Sequence, residues 1–454
     1  MNRQVMTAIL QAVSIFLIPT SGFAVELPAA GLQPVELQGV EAVAASYHNP
    51  ANPELEKLFR EGLVNTMRQS IRTADGTIYV GTGDIRAQWL RDASAQVTPY
   101  LFFAKSDPQV AQYLKGVIKR EGKYIRIDPY ANAFQQDYRV HEEKFELDSL
   151  AYPVILAWTY WKVTGDNSIF TGDLSLAFDK ILATMEREQD HANSSRYTHP
   201  ELPNHGKGRP VGHTGMIWTG FRPSDDACQY NFLIPSEMMA VSALADLAEI
   251  EKAVYHDDSK AARAQRLRQA VHEGIQRYGI VQTAKYGPIY AYEVDGLGGV
   301  NARDDANAPS LLSAAYFGYG NLNDALYKNT GAFILSSDNP DYHAGTIAQG
   351  IGSQHTHNNY VWPLSLIMKA MTSQSAAEKQ KLIGEILASD PGDHRLHESF
   401  DPNNPKKFTR ADFGWPNALF SEFLLTQELG MTPLPVANSN DLSFSQPNPS
   451  NPAR

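Results

Sequence analysis

The sequence predicts an all-α fold, a ring of paired helices with short β-ribbons in its loops, and three observations point there. Apolar residues recur at helical spacing through most of the 454-residue chain. The stretches between these segments are short and punctuated by glycine and aspartate. No βαβ alternation and no glycine-rich phosphate fingerprint interrupts the pattern.

The segments NPELEKLFREGLVNTMRQSIR, LAYPVILAWTYWKVTGD, PSEMMAVSALADLAEIEKAVYHD, AARAQRLRQAVHEGIQRYG, APSLLSAAYFGYG, YVWPLSLIMKAMTS and NALFSEFLLTQELG each carry apolar residues at helical spacing. Residues 82–101, TGDIRAQWLRDASAQVTPYL, predict one more helix. Ile85, Trp89, Ala93, Val97 and Leu101 form its apolar stripe. Gln88, Asp92 and Gln96 make a polar row beside the stripe, and Arg91 falls between Ala87 and Ala95. An arginine and an aspartate are expensive to bury without partners, so this helix is a candidate for function.

The triplet TGD occurs at 82–84, 164–166 and 171–173. Its glycine can take the left-handed conformation that ends a helix, and its aspartate can cap the next. GTIYVG and YGPIYAYEV are strand-like, short and isolated, and read as ribbons in loops. About a dozen helices over roughly 390 residues can stack as a closed ring or as an open solenoid, and a solenoid would show a clear sequence repeat. None is found. A ring brings loops from distant segments to one central pit that suits a small ligand.

The two ends read differently. Arg3, the apolar run MTAILQAVSIFLIP and the small residues of Gly22-Phe23-Ala24 make residues 1–24 an export signal. The run is short of the ~20 residues a membrane span needs. The mature protein is therefore expected outside the cytoplasm, periplasmic or secreted, with no stable membrane insertion. Residues 25–48 form a lead-in, 49–432 the main domain, and PLPVANSNDLSFSQPNPSNPAR, 433–454, a disordered tail. A monomer is expected.

The single cysteine, Cys228, excludes an intrachain disulfide and a cysteine-rich zinc site. It reads as a small buried filler rather than a nucleophile. A net charge of −11 without basic clusters speaks against nucleic-acid binding. Aromatic residues at 10 %, six of them Trp, suit a sugar groove and equally a large core.

Polar residues concentrate in ordered-looking stretches spread along the chain. Ser224 of GFRPSDDAC can cap a helix with Asp225 and Asp226 in its first turn, a position that favours ionised carboxylates. The alternative is that one of the two aspartates is a general acid, whose pKa must be raised. Glu146 and Asp148 read as first-turn acids, and Asp304 and Asp305 as caps of ANAPSLLS. His355 and His357 have a spacing a metal could use, but no HExxH motif or third ligand accompanies them. Glu398 stands apart. It lies in LHESFD just before Asp401-Pro402, where a helix cannot easily run, and its neighbours Leu396 and Phe400 are apolar anchors. Two carboxyl groups across a pit, one protonated and one ionised, are what glycoside hydrolysis needs. No Gly-x-Ser-x-Gly elbow suggests a serine hydrolase.

GDIRAQWLRDASAQVTPYL, ELDSLAYP, GFRPSDDAC, DDANAPSLL, GIGSQHT with WPLSLIM, and HESFD with FTRADFGWPNALF together resemble glycoside hydrolase family 125, in order from about residue 50 to 430. The resemblance implies an (α/α)6 barrel and an exo-acting, inverting α-1,6-mannosidase that needs neither metal nor other cofactor. It implies a mannose-containing oligosaccharide or N-glycan as partner. By the matching motifs the acid is Asp225, with Asp226 as the alternative, and the base is Glu398. Arg91 and Asp92 would line the subsite for the terminal sugar. Trp89, Arg222, Asp148, Asp304 and His355, from the same motifs, complete the expected sugar-binding set. The loop SQHTHNNYVW departs from the glycine-richer pattern of the family. A glucoamylase-like exo-glycosidase on the same ring and a non-catalytic glycan-binding protein are the rival readings.

Overall fold

In the computed structural model, which describes residues 33–436, helices alternate between an inner and an outer position around one axis. The inner elements are buried on nearly every side. Leu90–Val97, Leu147–Thr164, Ile234–Ala253, Pro363–Thr372 and Gly414–Gln427 carry almost no exposed face. A helix that is apolar all round belongs inside, and Leu90–Val97 is the exception, since it buries Arg91, Asp92, Ser94 and Gln96 as well. Leu147–Thr164 packs against both Leu90–Val97 and Ile234–Ala253, and Gly414–Gln427 against Leu90–Val97 and Pro363–Thr372. The outer helices Pro53–Arg68, Pro108–Ile127, Gly172–Glu188, Asp258–Tyr278, Ala325–Ile334 and Ala376–Ala388 bury one stripe each and turn charged residues to solvent.

The sixth inner position is filled by residues 311–320, which form consecutive turns instead of the predicted helix. Asp304 accepts from the backbone amides of Leu311 and Leu312, and Ser310 and Ser313 bond each other's amides. Gly318 and Gly320 take positive φ of 84° and 78°. Such side-chain bonds compete with a helical ladder. The segment still packs as an inner element: Tyr316 donates to Glu422, Phe317 meets Tyr152 edge-on, and Tyr319 bonds His272.

The 82–101 helix is also shorter than its period suggests. Residues 82–87 are irregular, Gln88–Trp89 is a strand paired with Ala133–Phe134, and only Leu90–Val97 is α-helical. Backbone bonds from Asp84 to Asp412 and from Gly414 to Thr82 hold the early part against a distant segment. Gln88 accepts from the Val80 amide and Gln96 donates to the Gly81 carbonyl. These two glutamines therefore fix a neighbouring strand, Ile78–Val80. Ile85 is 38 % exposed and lies off the stripe, whereas Ala93, Val97 and Leu101 are buried as expected.

Of the three TGD triplets, the second behaves as read in its glycine alone: Gly165, at φ 74°, ends Leu147–Thr164, but Asp166 accepts from the Ser168 amide in a loop and the next helix starts behind Thr171. Gly172 is instead the first residue of its helix behind Thr171, and Gly83 adjoins no helix end. The strand-like stretches form small antiparallel ribbons.

The lead-in belongs partly to the domain. Gln33–Pro34 pairs with Ser70–Arg72, and Gln38–Ser46 is a helix whose Val40, Val43 and Ala44 are buried. Residues 433–436, assigned to the tail, pack across the end of the ring, where Leu434 meets the core. The export signal and residues 437–454 lie outside the described residues.

Candidate active site

The N-terminal ends of the inner helices surround a small pit of about 210 Å³. Trp89, Arg91 and Asp92 come from the start of Leu90–Val97, Trp362 from the N-cap of Pro363–Thr372, and Phe413 and Trp415 from the start of Gly414–Gln427. Asp225 and Glu398 both line it. A larger cavity, about 430 Å³, lies at the opposite end of the ring and is closed in part by Pro433–Val436. Neither Asp225 nor Glu398 reaches it.

Asp225 sits on the tip of a narrow hairpin, where no helix starts. Phe221 bridges Ala227, the Arg222 amide donates to the Asp226 carbonyl, and the Asp225 amide donates to the Arg222 carbonyl. Asp225 itself has φ 66°, the left-handed region that aspartate tolerates better than most residues. The helix-cap reading of Ser224-Asp225-Asp226 is thereby overturned, and with it the dipole that would hold these carboxyls ionised. Asn132 donates to Asp225 Oδ1 at 3.2 Å, and Arg91 Nη2 stands 3.7 Å from the same oxygen.

Glu398 enters from a second hairpin. Ser399–Asp401 pairs with Asn404–Thr409, and the Glu398 amide donates to the Thr409 carbonyl. Leu396 and Phe400 are buried on either side, and Asn417 ties both polar groups of the Leu396 backbone. Burial raises the pKa of Glu398, while Arg410 and His355 pull it down. Arg410 is held by Asp84, with Nε 2.8 Å from Oδ1.

Asp226 is committed elsewhere. His355 Nδ1 lies 3.6 Å from its Oδ1, and Ser224 donates to its Oδ2. Burial works against the Asp226 carboxylate, yet the His355 and Ser224 contacts hold its pKa below the usual value. The bond to Asp226 pushes His355 up to about 9, so the pair is ionic at neutral pH.

Arg91 is the centre of a buried carboxyl cluster. Its Nη1 donates to Glu146 Oε2 at 2.6 Å and to Asp148 Oδ2 at 3.2 Å. Its Nε lies 3.5 Å from Asp92, and its guanidinium stands 5.7 Å from the centre of the Trp415 ring. Burial pushes Asp92 up to about 6 against the pull of Arg91. It raises Glu146 and Asp148 as well.

Residues 52–425 match the family model of the metal-independent α-mannosidases, GH125. The chain belongs to glycoside hydrolase family 125. It is 36 % identical over 417 residues to the meiotically up-regulated gene 157 protein of Schizosaccharomyces pombe, with 82 % of each chain covered. Among solved structures it is similar to a Streptococcus pneumoniae metal-independent α-mannosidase in a non-productive complex with α-1,6-mannobiose. That likeness has 39 % identity and a TM-score of 0.81, over 85 % of this chain and 95 % of the other. A bacterial glucoamylase complexed with acarbose shares the ring at a TM-score of 0.64 and 12 % identity, over 86 % of this chain and 58 % of the other. At that identity the likeness shows the fold alone. The fold is the (α/α)6 barrel.

Six of the residues expected in the family 125 site converge on the pit: Trp89, Arg91, Asp92, Asp225, His355 and Glu398. Three do not. Asp148 is fully buried behind Arg91. Arg222 lies beneath the Asp225 hairpin, donating to Glu293 at 2.6 Å and to Gln354 at 2.9 Å. Asp304 spends its carboxylate on the Leu311 and Leu312 amides of a turn, so the helix it was expected to cap is absent while its side chain is still consumed by backbone amides. His357 packs on Tyr360, and among the described residues neither it nor His355 belongs to a group of three possible metal ligands. Cys228 is buried and its thiol pKa is raised by that burial, as a filler's would be. Asn307, Trp362, Arg410, Phe413 and Trp415 also line the pit and were not singled out from sequence. Their one signal was membership of the motifs that carry the family likeness.

Proposed function

We propose that this family 125 α-mannosidase acts at chain ends, releasing terminal α-1,6-linked mannose from glycans with inversion. The carrying observation is that Asp225 and Glu398 line one small pit, each on its own hairpin. A pit of about 210 Å³ is smaller than the roughly 300–1,000 Å³ of sites for larger ligands, which favours one terminal sugar over an internal stretch of chain. Binding of α-1,6-mannobiose by the pneumococcal relative supports the linkage.

Asp225 gives a proton to the glycosidic oxygen as its bond to C1 breaks. Glu398, ionised between the cations Arg410 and His355, takes a proton from a water that attacks C1 from the opposite face. Inversion requires the two carboxyls to stand ~6.5–9.5 Å apart to admit that water. Asp226 is a poor candidate for the acid because its ion pair with His355 keeps it ionised. Trp89 Nε1 is buried without a partner, and Arg91 Nε makes no hydrogen bond. Sugar hydroxyls can satisfy such groups, and the Asp92 carboxyl can accept from two of them.

The test is incubation with α-1,6-mannobiose, with and without a chelator, followed by NMR of the first-formed mannose. β-Mannose at undiminished rate with chelator is expected. α-Mannose would refute inversion, and no release at all would favour a glycan-binding role. We further infer export through residues 1–24 and a monomeric enzyme. N-terminal sequencing of the mature protein and light scattering test these two points.

A further inference from the structure

Among the described residues the Asp225 carboxyl has one hydrogen-bond donor, the side chain of Asn132. Asn132 is fully buried and immediately precedes the strand Ala133–Phe134. Its carbonyl accepts from the Leu90 amide at 3.0 Å, which fixes its backbone beside the start of Leu90–Val97. Its side-chain oxygen accepts from the Lys144 amide at 3.1 Å. A backbone amide can only donate, so this bond settles which end of the side chain is oxygen. The NH2 end therefore faces two carboxyl groups, Glu142 Oε2 at 3.0 Å and Asp225 Oδ1 at 3.2 Å, with one hydrogen for each.

The hairpin that carries Asp225 is closed from within by its own backbone, with Asp225 left-handed at the tip. From outside, Asn132 ties the Asp225 side chain to the small sheet of Gln88–Trp89, Ala133–Phe134 and Val140–Glu142. Arg91 Nη2, at 3.7 Å, is beyond hydrogen-bond distance and approaches the same Oδ1. The NH2 of an amide and a guanidinium have hydrogens to give and no lone pair to receive one. An oxygen that faces two such groups must present a lone pair to them. Oδ2 has no donor among the described residues, so it is the oxygen free to carry a transferable proton.

We propose that Asn132 is a positioning residue for the acid: it holds Asp225 Oδ1 as an acceptor and so leaves Oδ2 to deliver the proton to the leaving group. This rests on the assignment of Asp225 as the acid. In the step, the proton leaves Oδ2 for the glycosidic oxygen, which keeps the electron pair of the broken C1–O bond. The attacking water forms the new bond to C1 and loses its proton to Glu398, and exchange with solvent resets both carboxyls. Asp225 is left as a carboxylate, and a hydrogen bond to an ionised acceptor is roughly twice as strong as one to a neutral acceptor. The Asn132 bond therefore strengthens as charge develops on Asp225. An interaction stronger in the transition state than in the ground state raises kcat without tightening substrate binding. Asn132 itself does not line the pit.

The test is Asn132→Ala, assayed on α-1,6-mannobiose and on a 2,4-dinitrophenyl α-mannoside, whose leaving group departs without protonation. With mannobiose, kcat is expected to fall by about tenfold or more while KM stays within about threefold of wild type. With the dinitrophenyl substrate kcat is expected to stay within about threefold of wild type. Asn132→Asp keeps the side-chain shape and the oxygen that takes the Lys144 amide, but turns an acceptor towards Asp225. The same pattern is expected of it, and it carries the comparison if thermal melts show Asn132→Ala to be unfolded. In an Asp225→Asn background, Asn132→Ala is expected to cost no further mannobiose activity, because the two residues act as one unit. Equal losses on both substrates, an unchanged mannobiose kcat, or full additivity with Asp225→Asn overturn the proposal. If Asp225→Asn alone loses mannobiose activity while the Asn132 expectations fail, the acid assignment stands without Asn132; if it keeps that activity, the assignment itself is wrong and the proposal falls with it.

Discussion

Asp92→Asn is expected to make the protein more stable at neutral pH while weakening its grip on sugar. Asp92 is 4 % exposed, and burial carries its pKa from the ordinary 3.8 to about 6. The folded state thus binds this proton more tightly than the unfolded chain. Stability from this group is fully present below pH 3.8, declines as pH rises towards 6, and stays lost above it. The rise of about 2.2 pH units, at 1.36 kcal/mol each, makes ionised Asp92 a liability of ~3 kcal/mol at pH 8. Asparagine has the shape of the protonated acid and removes that liability. With about 400 ordered residues at roughly 2.1 cal/mol/K each, ~3 kcal/mol corresponds to a Tm rise of about 3–4 °C. The assay is paired thermal melts of wild type and variant at pH 8 and pH 4.5. The variant should lead by several degrees at pH 8 and by much less at pH 4.5, with mannose affinity reduced at both. An equal offset at the two pH values, or a lower Tm at pH 8, would refute the reasoning.

Glu398→Gln should abolish turnover while retaining the fold and mannose binding, measured by kinetics beside a ligand-induced melt shift; wild-type rates would remove Glu398 from the role of base. In His355→Asn one of the two cations that lower the Glu398 pKa is gone while Arg410 remains, so the acidic limb of kcat/KM should move modestly to higher pH, read from a pH–rate profile. Arg222→Met leaves Glu293 buried without its cation, with Asn301 and the Tyr230 amide still donating to it, and should cost about 3 kcal/mol in denaturant unfolding.

Much of this organisation is legible from local pattern. Burial of one face writes a period into the outer helices, and burial of all faces leaves long apolar stretches in most inner ones, so both are visible as segments. Glu398 was legible because a glutamate between apolar anchors before Asp-Pro cannot be a helix-surface residue. Where long-range partners outbid local propensity, pattern misled. Residues 82–89 pair with Asp412 and with Ala133–Phe134, and residues 311–320 are bent by Asp304 and their own serines. The Ser224-Asp225-Asp226 triplet has the composition of a helix start, and only the pairing of Phe221 with Ala227 makes it a hairpin tip.

By itself the sequence determined an all-α ring with ribbons, a candidate base at Glu398 and two candidate acids. Only the tertiary structure pairs Asp226 with His355, 129 positions further along the chain, and leaves Asp225 on the pit without that partner. Only it showed that Arg222, Asp148 and Asp304 do not line the pit and that Glu146 is tied to Arg91. Spacing along one helix dictates which residues share a face. Which charges meet across the ring is decided by contacts between distant segments, which no local spacing records.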